Sequence, residues 1–224
     1  MVRRENEATI DVYEHLRQEV LAGRFEPGAK LPPAALAKEY GVSLGVVREA
    51  LTRLTEQELA VSERNRGFQV IEISTDRLEQ LLEARQLNEC RALVLSIERG
   101  DIDWESNVVA AHHRMTNTPV YRVEDEVHSN AEFALAHKTF HFSLLEACAN
   151  EYLLSTCNRL FDAGELYRRW SVPMLGSRPH AGREHKAILS AALQRDGERA
   201  AELYASHIAT TSRLVIERFT HADH

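Results

Sequence analysis

Three cysteines, Cys90, Cys148 and Cys157, with no CxxC pair among them, are too few for a disulfide framework or a cysteine-only zinc knot. No apolar run approaches the roughly 20 residues that a membrane span needs. The opening MVRRENEATI lacks the apolar h-region of a secretory signal. These absences lead us to expect a cytoplasmic protein with no membrane partner. Nucleophile-elbow, phosphate-loop and HExxH patterns are also missing, which removes the best-marked hydrolase and nucleotide-binding classes. Positive charge is scarce too. The net charge is −7, and residues 1 to 73 carry 10 Lys+Arg against 12 Asp+Glu, so charge totals lend no support to nucleic-acid binding. At 224 residues the chain is long enough for two domains.

What is present begins with Leu31 to Leu59, where two short helical patterns meet at Tyr40-Gly41-Val42-Ser43. Gly41 can supply the positive φ of a tight turn, and Ser43 can cap the helix that follows. The arrangement is a helix-turn-helix, with an ordinary helical hairpin as the alternative. In the second helix Val47, Leu51 and Leu54 recur at i, i+4 and i+7 and face inward, which turns Gly45, Arg48, Thr52 and Arg53 outward. Such a face suits a recognition helix in the major groove of double-stranded DNA. An amphipathic helix through Ile10, Tyr13, Leu16, Val20 and Leu21 precedes it. After Leu59 the period changes to two, and a β-hairpin with Arg64, Arg66 and Gly67 at its tip follows. Helix, helix-turn-helix and basic hairpin in that order make a winged helix, whose wing tip can track a phosphate backbone.

From Ser74 onward every segment reads as helix, giving an all-helical bundle of about six helices over 74–224 beside a DNA-binding domain over 1–73. The fold class expected is therefore mainly α: an N-terminal winged helix-turn-helix and a helical bundle. Helix breaks are expected at Gly100-Asp101, Thr116 to Pro119, Ala149-Asn150 and Ser171 to Pro179. His137 and His141 stand at i, i+4, so two imidazoles share a helix face and can reach one ion. His185 and His207, each among apolar residues of the last two helices, can converge with them on a Zn²⁺ or Ni²⁺ ion. For each imidazole the alternative is a core or surface histidine with a single hydrogen bond. Arg85 lies at the centre of the face made by Leu78, Leu81, Leu82, Ala92 and Ser96, and Arg168 on that of Leu154, Cys157, Phe161 and Gly164. A buried guanidinium needs a partner, and a carboxylate effector can supply it bidentately. An internal Arg85–Glu89 ion pair is the competing explanation.

The ordered motifs G-x-F-x-P-G-x-x-L, L-A-x-x-Y-G-V-S, V-R-E-A-L-x-R-L and R-G-F-x-V resemble the GntR family of bacterial transcription regulators. The family usually has Arg directly after the turn Ser and Pro before the V-R-E-A-L run, where this chain has Leu44 and Val46. The C-terminal part is similar to the FCD effector-binding domain, whose metal site uses a D-x-x-x-H pair, then E-H, then a histidine of the final helix. Here H-K-T-F-H, Glu184-His185 and His207 fall in that order, with His137 where the family has Asp. The runs A-H-K-x-F-H and R-L-F-D followed by Y-R look similar to regulators of glutarate and γ-aminobutyrate catabolism, which implies a short dicarboxylate effector. A metal-dependent hydrolase would explain the histidines but leave the winged helix without a role. The reading that uses both halves is a homodimeric, ligand-responsive repressor and not an enzyme.

Overall fold

A computed structural model describes residues 2–63, 67–72, 74–122, 125–175 and 181–222, with side chains over 11–63, 67–72, 74–120, 130–168, 181–214 and 216. The chain divides into two compact units, Met1–Ser74 and Thr75–His224.

In the first unit, α1 (Val2–Leu21) buries Val12, Tyr13, Leu16, Val20 and Leu21 along one face. Pro32 and Pro33 open α2 (Pro33–Tyr40), where the missing N–H of proline is harmless, and Gly41 closes it in the left-handed region at φ 67°. Ser43 then caps α3 (Leu44–Glu56), its hydroxyl accepting from the Val46 N–H at 3.3 Å. Val47, Leu51 and Leu54 of α3 are fully buried. The hairpin follows as β1 (Ala60–Glu63) and β2 (Gly67–Val70), antiparallel with Ala60 opposite Val70. Its outer edge is paired by the segment before α2: the Leu31 N–H donates to the Phe68 carbonyl at 2.8 Å and the Val70 N–H to the Ala29 carbonyl at 2.9 Å. Helix, helix-turn-helix and wing are thus present, although the wing-tip residues Arg64 and Arg66 lie outside the described residues.

The second unit holds α4 (Thr75–Arg99), α5 (Ile102–Thr116), α6 (Ala131–Leu145), a 3-10 turn over Glu146–Cys148, α7 (Glu151–Leu175), α8 (Ala181–Leu193) and α9 (Gly197–Ala222). Six α-helices match the expected bundle. Its core gathers Leu93, Trp104, Val108, Phe140, Leu144, Ile188, Tyr204 and Ile208. Trp104 satisfies its indole N–H on the Ser143 carbonyl at 2.8 Å. At the α8–α9 corner Arg195, at φ 60°, donates to the carbonyls of Ile97 and Gly100 at 2.7 Å each and stacks over Trp104, closing the exposed end of α4.

Two details depart from the sequence reading. A short hairpin, β3 (Tyr121–Arg122) with β4 (Asp125–Ser129), occupies a stretch expected to hold no strand. Its sequence, YRVEDEVHS, interleaves strand-forming residues with three acids and has no glycine or asparagine to mark the turn, so the period-two signal is diluted. Helix α7 also runs through Pro173 to Leu175, where a loop was expected from Ser171. Pro173 falls in the last turn, where losing one donor forfeits a single ladder bond. Among the described residues no helix is long and apolar enough to cross a membrane.

Candidate metal centre and nucleic-acid interface

On α3, Gly45, Arg48 and Thr52 are exposed along one side of the helix. Thr52 spends its hydroxyl proton on the Arg48 carbonyl at 2.8 Å, leaving lone pairs and a methyl group outward. A methyl next to an arginine suits a major-groove surface, where thymine offers a methyl and guanine two acceptors. Arg53 is half-buried, its guanidinium 4.0 Å from the centre of the Tyr13 ring, so it links α3 to α1 as well as bordering the face. Gly67 turns the wing back on itself at φ 82°. Leu44, 47 % exposed, occupies the first position of α3.

The bundle builds a second site. His137 and His141 of α6, His185 of α8 and His207 of α9 are all buried and bring one ring nitrogen each to within 4.8 Å of one another. Helical spacing stacks the first two, with Nε2 to Nε2 at 3.1 Å. Hydrogen bonds fix two of the tautomers. Tyr204 donates its hydroxyl proton to Glu89 at 2.8 Å, so toward His141 Nδ1, at 2.9 Å, the same oxygen can only accept. His141 therefore carries its proton on Nδ1 and turns a lone pair at Nε2 into the cluster. Glu184 accepts from His207 Nδ1 at 2.7 Å, with the same result for His207. Burial first, and the neighbouring imidazoles second, hold the pKa of His137 and of His141 well below the ordinary value, so both rings are neutral ligands at neutral pH.

His137 tests whether a metal fits. Because His141 Nε2 is a lone pair, the 3.1 Å contact requires a proton on His137 Nε2, and this strips Nδ1 of its proton. That bare, buried Nδ1 has no hydrogen-bond partner and stands 3.6 Å from Glu165 Oε1. A cation among the four nitrogens would take the Nε2 lone pairs, move the His137 proton to Nδ1 and aim it at Glu165. The four ring nitrogens, all within 4.8 Å of one another, are close enough together for one ion to be held by all four imidazoles. The donor set fits a divalent ion of borderline softness.

Both sequence-selected arginines lie beside this cluster, and each already has a carboxylate on its own helix. Arg85 donates from Nε and Nη2 to Glu89 at 2.6 and 3.1 Å. Burial opposes its charge, and the attraction and hydrogen bonds of Glu89 outweigh that, so its pKa is raised. Arg168 donates in the same fork to Glu165 at 2.5 and 2.7 Å. Gly164 leaves space for Arg85: a Cβ there would meet Nη1 at 2.6 Å. The two guanidiniums line one small cavity of about 10 Å³ with Leu81, Tyr167 and Ser212, room for about one water molecule. A continuous chain Arg85–Glu89–Tyr204–His141 connects the first arginine to the imidazole cluster.

Tyr204, Glu165 and the part-buried Lys138–Asp162 pair at 2.8 Å are not singled out by the sequence. The available signals were weak: Tyr204 precedes His207 by three residues on α9, as Glu165 precedes Arg168 on α7, and i, i+3 spacing alone is common. Among the described residues no other histidine joins the cluster. His112, for one, packs edge-on against Phe140.

Comparison with known proteins agrees with both halves. Residues 9–70 match the family described as bacterial regulatory proteins, gntR family, and residues 80–210 match the FCD domain. The chain is 34 % identical over 205 residues to the uncharacterized HTH-type transcriptional regulator BphR of Paraburkholderia xenovorans, covering 91 % of this chain and 83 % of that protein. It is 31 % identical over 214 residues to the HTH-type transcriptional repressor GlaR of Escherichia coli, covering 92 % and 95 %. In fold it is similar to E. coli McbR/YncC, with TM-score 0.77 over 95 % of this chain and 98 % of that one at 17 % identity. Named relatives of this kind are transcription regulators, and the hydrolase alternative finds no support among them. The chain is a DNA-binding transcriptional regulator of the bacterial GntR family, with an FCD domain, and not an enzyme.

Proposed function

We propose that the protein is a cytoplasmic, homodimeric repressor that holds one divalent ion, Zn²⁺ or Ni²⁺, on His137, His141, His185 and His207 and answers to a small carboxylate. Four buried imidazoles with nitrogens within 4.8 Å of one another carry this reading. When bound, the ion supplies a positive charge for an anionic effector. Charge bookkeeping around the cluster favours such an anion. Arg85–Glu89, Arg168–Glu165 and Lys138–Asp162 each pair opposite charges, and among the described residues Glu184 is a further carboxylate set against a divalent ion. Tyr204 and Glu184 hold the protons of His141 and His207 away from the ion, and burial keeps water from competing. Arg85 and Arg168 serve as the grip for carboxylate oxygens, a dicarboxylate such as glutarate using both. A cavity of about 10 Å³ cannot admit such a molecule, so effector binding requires the fork of Glu89 or Glu165 to open.

On DNA, Ser43, Gly45, Arg48, Thr52 and Arg53 of the helix-turn-helix and Arg64, Arg66 and Gly67 of the wing form the contact set. One winged helix offers a small contact area, and a two-fold dimer reading two half-sites is the usual remedy. The repressor sense rests on the name of the GlaR relative. The test has two arms. Protein refolded with Zn²⁺ and with Ni²⁺ in turn should retain one ion per chain by elemental analysis, and a His185→Ala variant should retain less. Calorimetric titration of the loaded protein with C4 to C6 diacids should then show saturable binding. Failure to retain either metal removes the centre, and retention without diacid binding removes the effector class alone.

A further inference from the structure

The first turn of α3 gives up stability that its sequence could have had. Leu44 holds the first helical position and is 47 % exposed, the one large apolar side chain left outside among the described side chains of the first unit. Gly45 follows it, although nothing in the fold asks for glycine there. Its φ lies outside the left-handed region, and an added Cβ would meet only the Ser43 hydroxyl, at an ordinary 3.7 Å. Glycine in a helix costs backbone entropy with no packing to offset it. The turn also carries no acidic residue, where an acid would favour the helix dipole. Local choices that weaken an element without improving its packing are characteristic of a surface kept for a partner.

Position and chemistry name that partner. Leu44, Arg48 and Thr52 recur at i, i+4 and i+8 and are all exposed, with exposed Gly45 beside them. Leu44 therefore extends the DNA-reading face of α3 to its N-terminal end, the end that meets base edges when a recognition helix lies in the major groove. An aliphatic side chain neither donates nor accepts a hydrogen bond, so it is blind to the donor and acceptor code of the groove. It discriminates by apolar contact alone, and the apolar group that the four bases present there is the C5-methyl of thymine. Leucine is shorter than arginine, so the contact requires the first turn of α3 to lie close to the bases. Gly45 leaves the room for that approach, and the missing acid spares the phosphates a repulsion.

We propose that Leu44 is a specificity-determining residue of the DNA-binding domain, reading a C5-methyl group in the major groove, with Gly45 as the gap that lets it reach. The inference rests on the DNA contact set above and deepens it. Arg48, one turn further along the helix, supplies the hydrogen bonds that a leucine cannot. Because 5-methylcytosine carries the same methyl at the same place, the contact is defined by that group and not by the rest of the base.

A duplex selected from a random library by the full-length protein serves as the probe. Each of its thymines is replaced in turn by deoxyuridine, which removes the methyl and nothing else. Gel-shift titration should find a position at which this replacement weakens wild-type binding about three- to fivefold, the worth of one methyl taken out of contact. Leu44→Ala, confirmed as folded by circular dichroism, should bind the thymine and deoxyuridine duplexes equally at that position. With 5-methylcytosine placed there, paired with guanine, wild-type protein should bind more tightly than with cytosine, and Leu44→Ala should not distinguish the two. Gly45→Leu, a good helix former without charge, should stay folded and weaken binding to the selected duplex about tenfold or more. Deoxyuridine penalties that are the same in wild type and in Leu44→Ala at every position would overturn the methyl contact. Unchanged affinity in Gly45→Leu would overturn the close approach on which a leucine contact depends. Unchanged affinity in Arg48→Ala would overturn the recognition face as a whole, a failure separate from that of Leu44 alone.

Discussion

Replacing Arg85 by methionine separates the structural from the ligand-binding duty of that arginine, provided the partner is changed as well. Glu89 is fully buried and relies on Arg85 for two hydrogen bonds and on Tyr204 for one. Arg85→Met leaves that carboxylate with Tyr204 alone, and breaking a buried ion pair from one side costs about 3–5 kcal/mol. In a unit of this size 1 kcal/mol moves the melting temperature by about 2–4 °C, so a fall of roughly 6–20 °C is expected. The double variant Arg85→Met with Glu89→Gln removes both charges and keeps an acceptor for the Tyr204 hydroxyl. It should regain most of the loss, a coupling of roughly 2–3 kcal/mol, near the top of the range for contacting residues. Urea denaturation of the four proteins of this cycle measures it. If Arg85→Met alone loses less than about 1 kcal/mol, the pair is not coupled as the geometry requires. The stabilised double variant then decides function: an operator complex that no longer responds to a diacid makes Arg85 a ligand contact, and an unchanged response makes it only the partner of Glu89.

Arg48→Ala should cost about 1–3 kcal/mol of specific operator affinity in a gel-shift titration, and unchanged affinity would take Arg48 out of the interface. Tyr204→Phe frees the Nδ1 proton of His141 and should weaken metal binding about 10–100-fold in competition with a chelator, without unfolding the metal-free protein. Metal-free protein should also lose stability on acidification. Unfolded imidazoles gain protons near pH 6.5, whereas burial holds His137 and His141 neutral in the fold, so the unfolded state binds more protons below that pH. Each of the two contributes a slope of up to about 1.4 kcal/mol per pH unit as pH falls through 6.5, and none well above it. Equal stability at pH 5.5 and 7.5 would contradict the buried, neutral assignment.

The DNA-binding half was legible because its signals are local. Gly41 and Ser43 mark the turn by their own backbone and side-chain preferences, and the inward spacing of Val47, Leu51 and Leu54 needs no knowledge of what they pack against. The four imidazoles were legible as types and spacings. Their convergence depends on how α6, α8 and α9 pack, which no local pattern encodes. The carboxylates behind them were the least visible. Glu184 stands out only as a member of the Glu184-His185 motif, and Glu165 reads as an ordinary member of a charged helix, until the fold sets Glu165 3.6 Å from His137 and Glu184 2.7 Å from His207. The β3–β4 hairpin escaped because acidic residues interrupt its alternation, and the end of α7 because Pro173 resembles a stop when it is only a late interruption.

Both buried arginines find their carboxylates within one helical turn, Arg85 four residues before Glu89 on α4 and Arg168 three residues after Glu165 on α7. Pairs at this spacing form as soon as the helix does, before any tertiary contact exists. During folding, α4 and α7 can therefore meet as faces already neutralised. The assembling bundle dehydrates two compact dipoles, and no isolated guanidinium has to cross into the core in search of a partner contributed by a distant part of the chain.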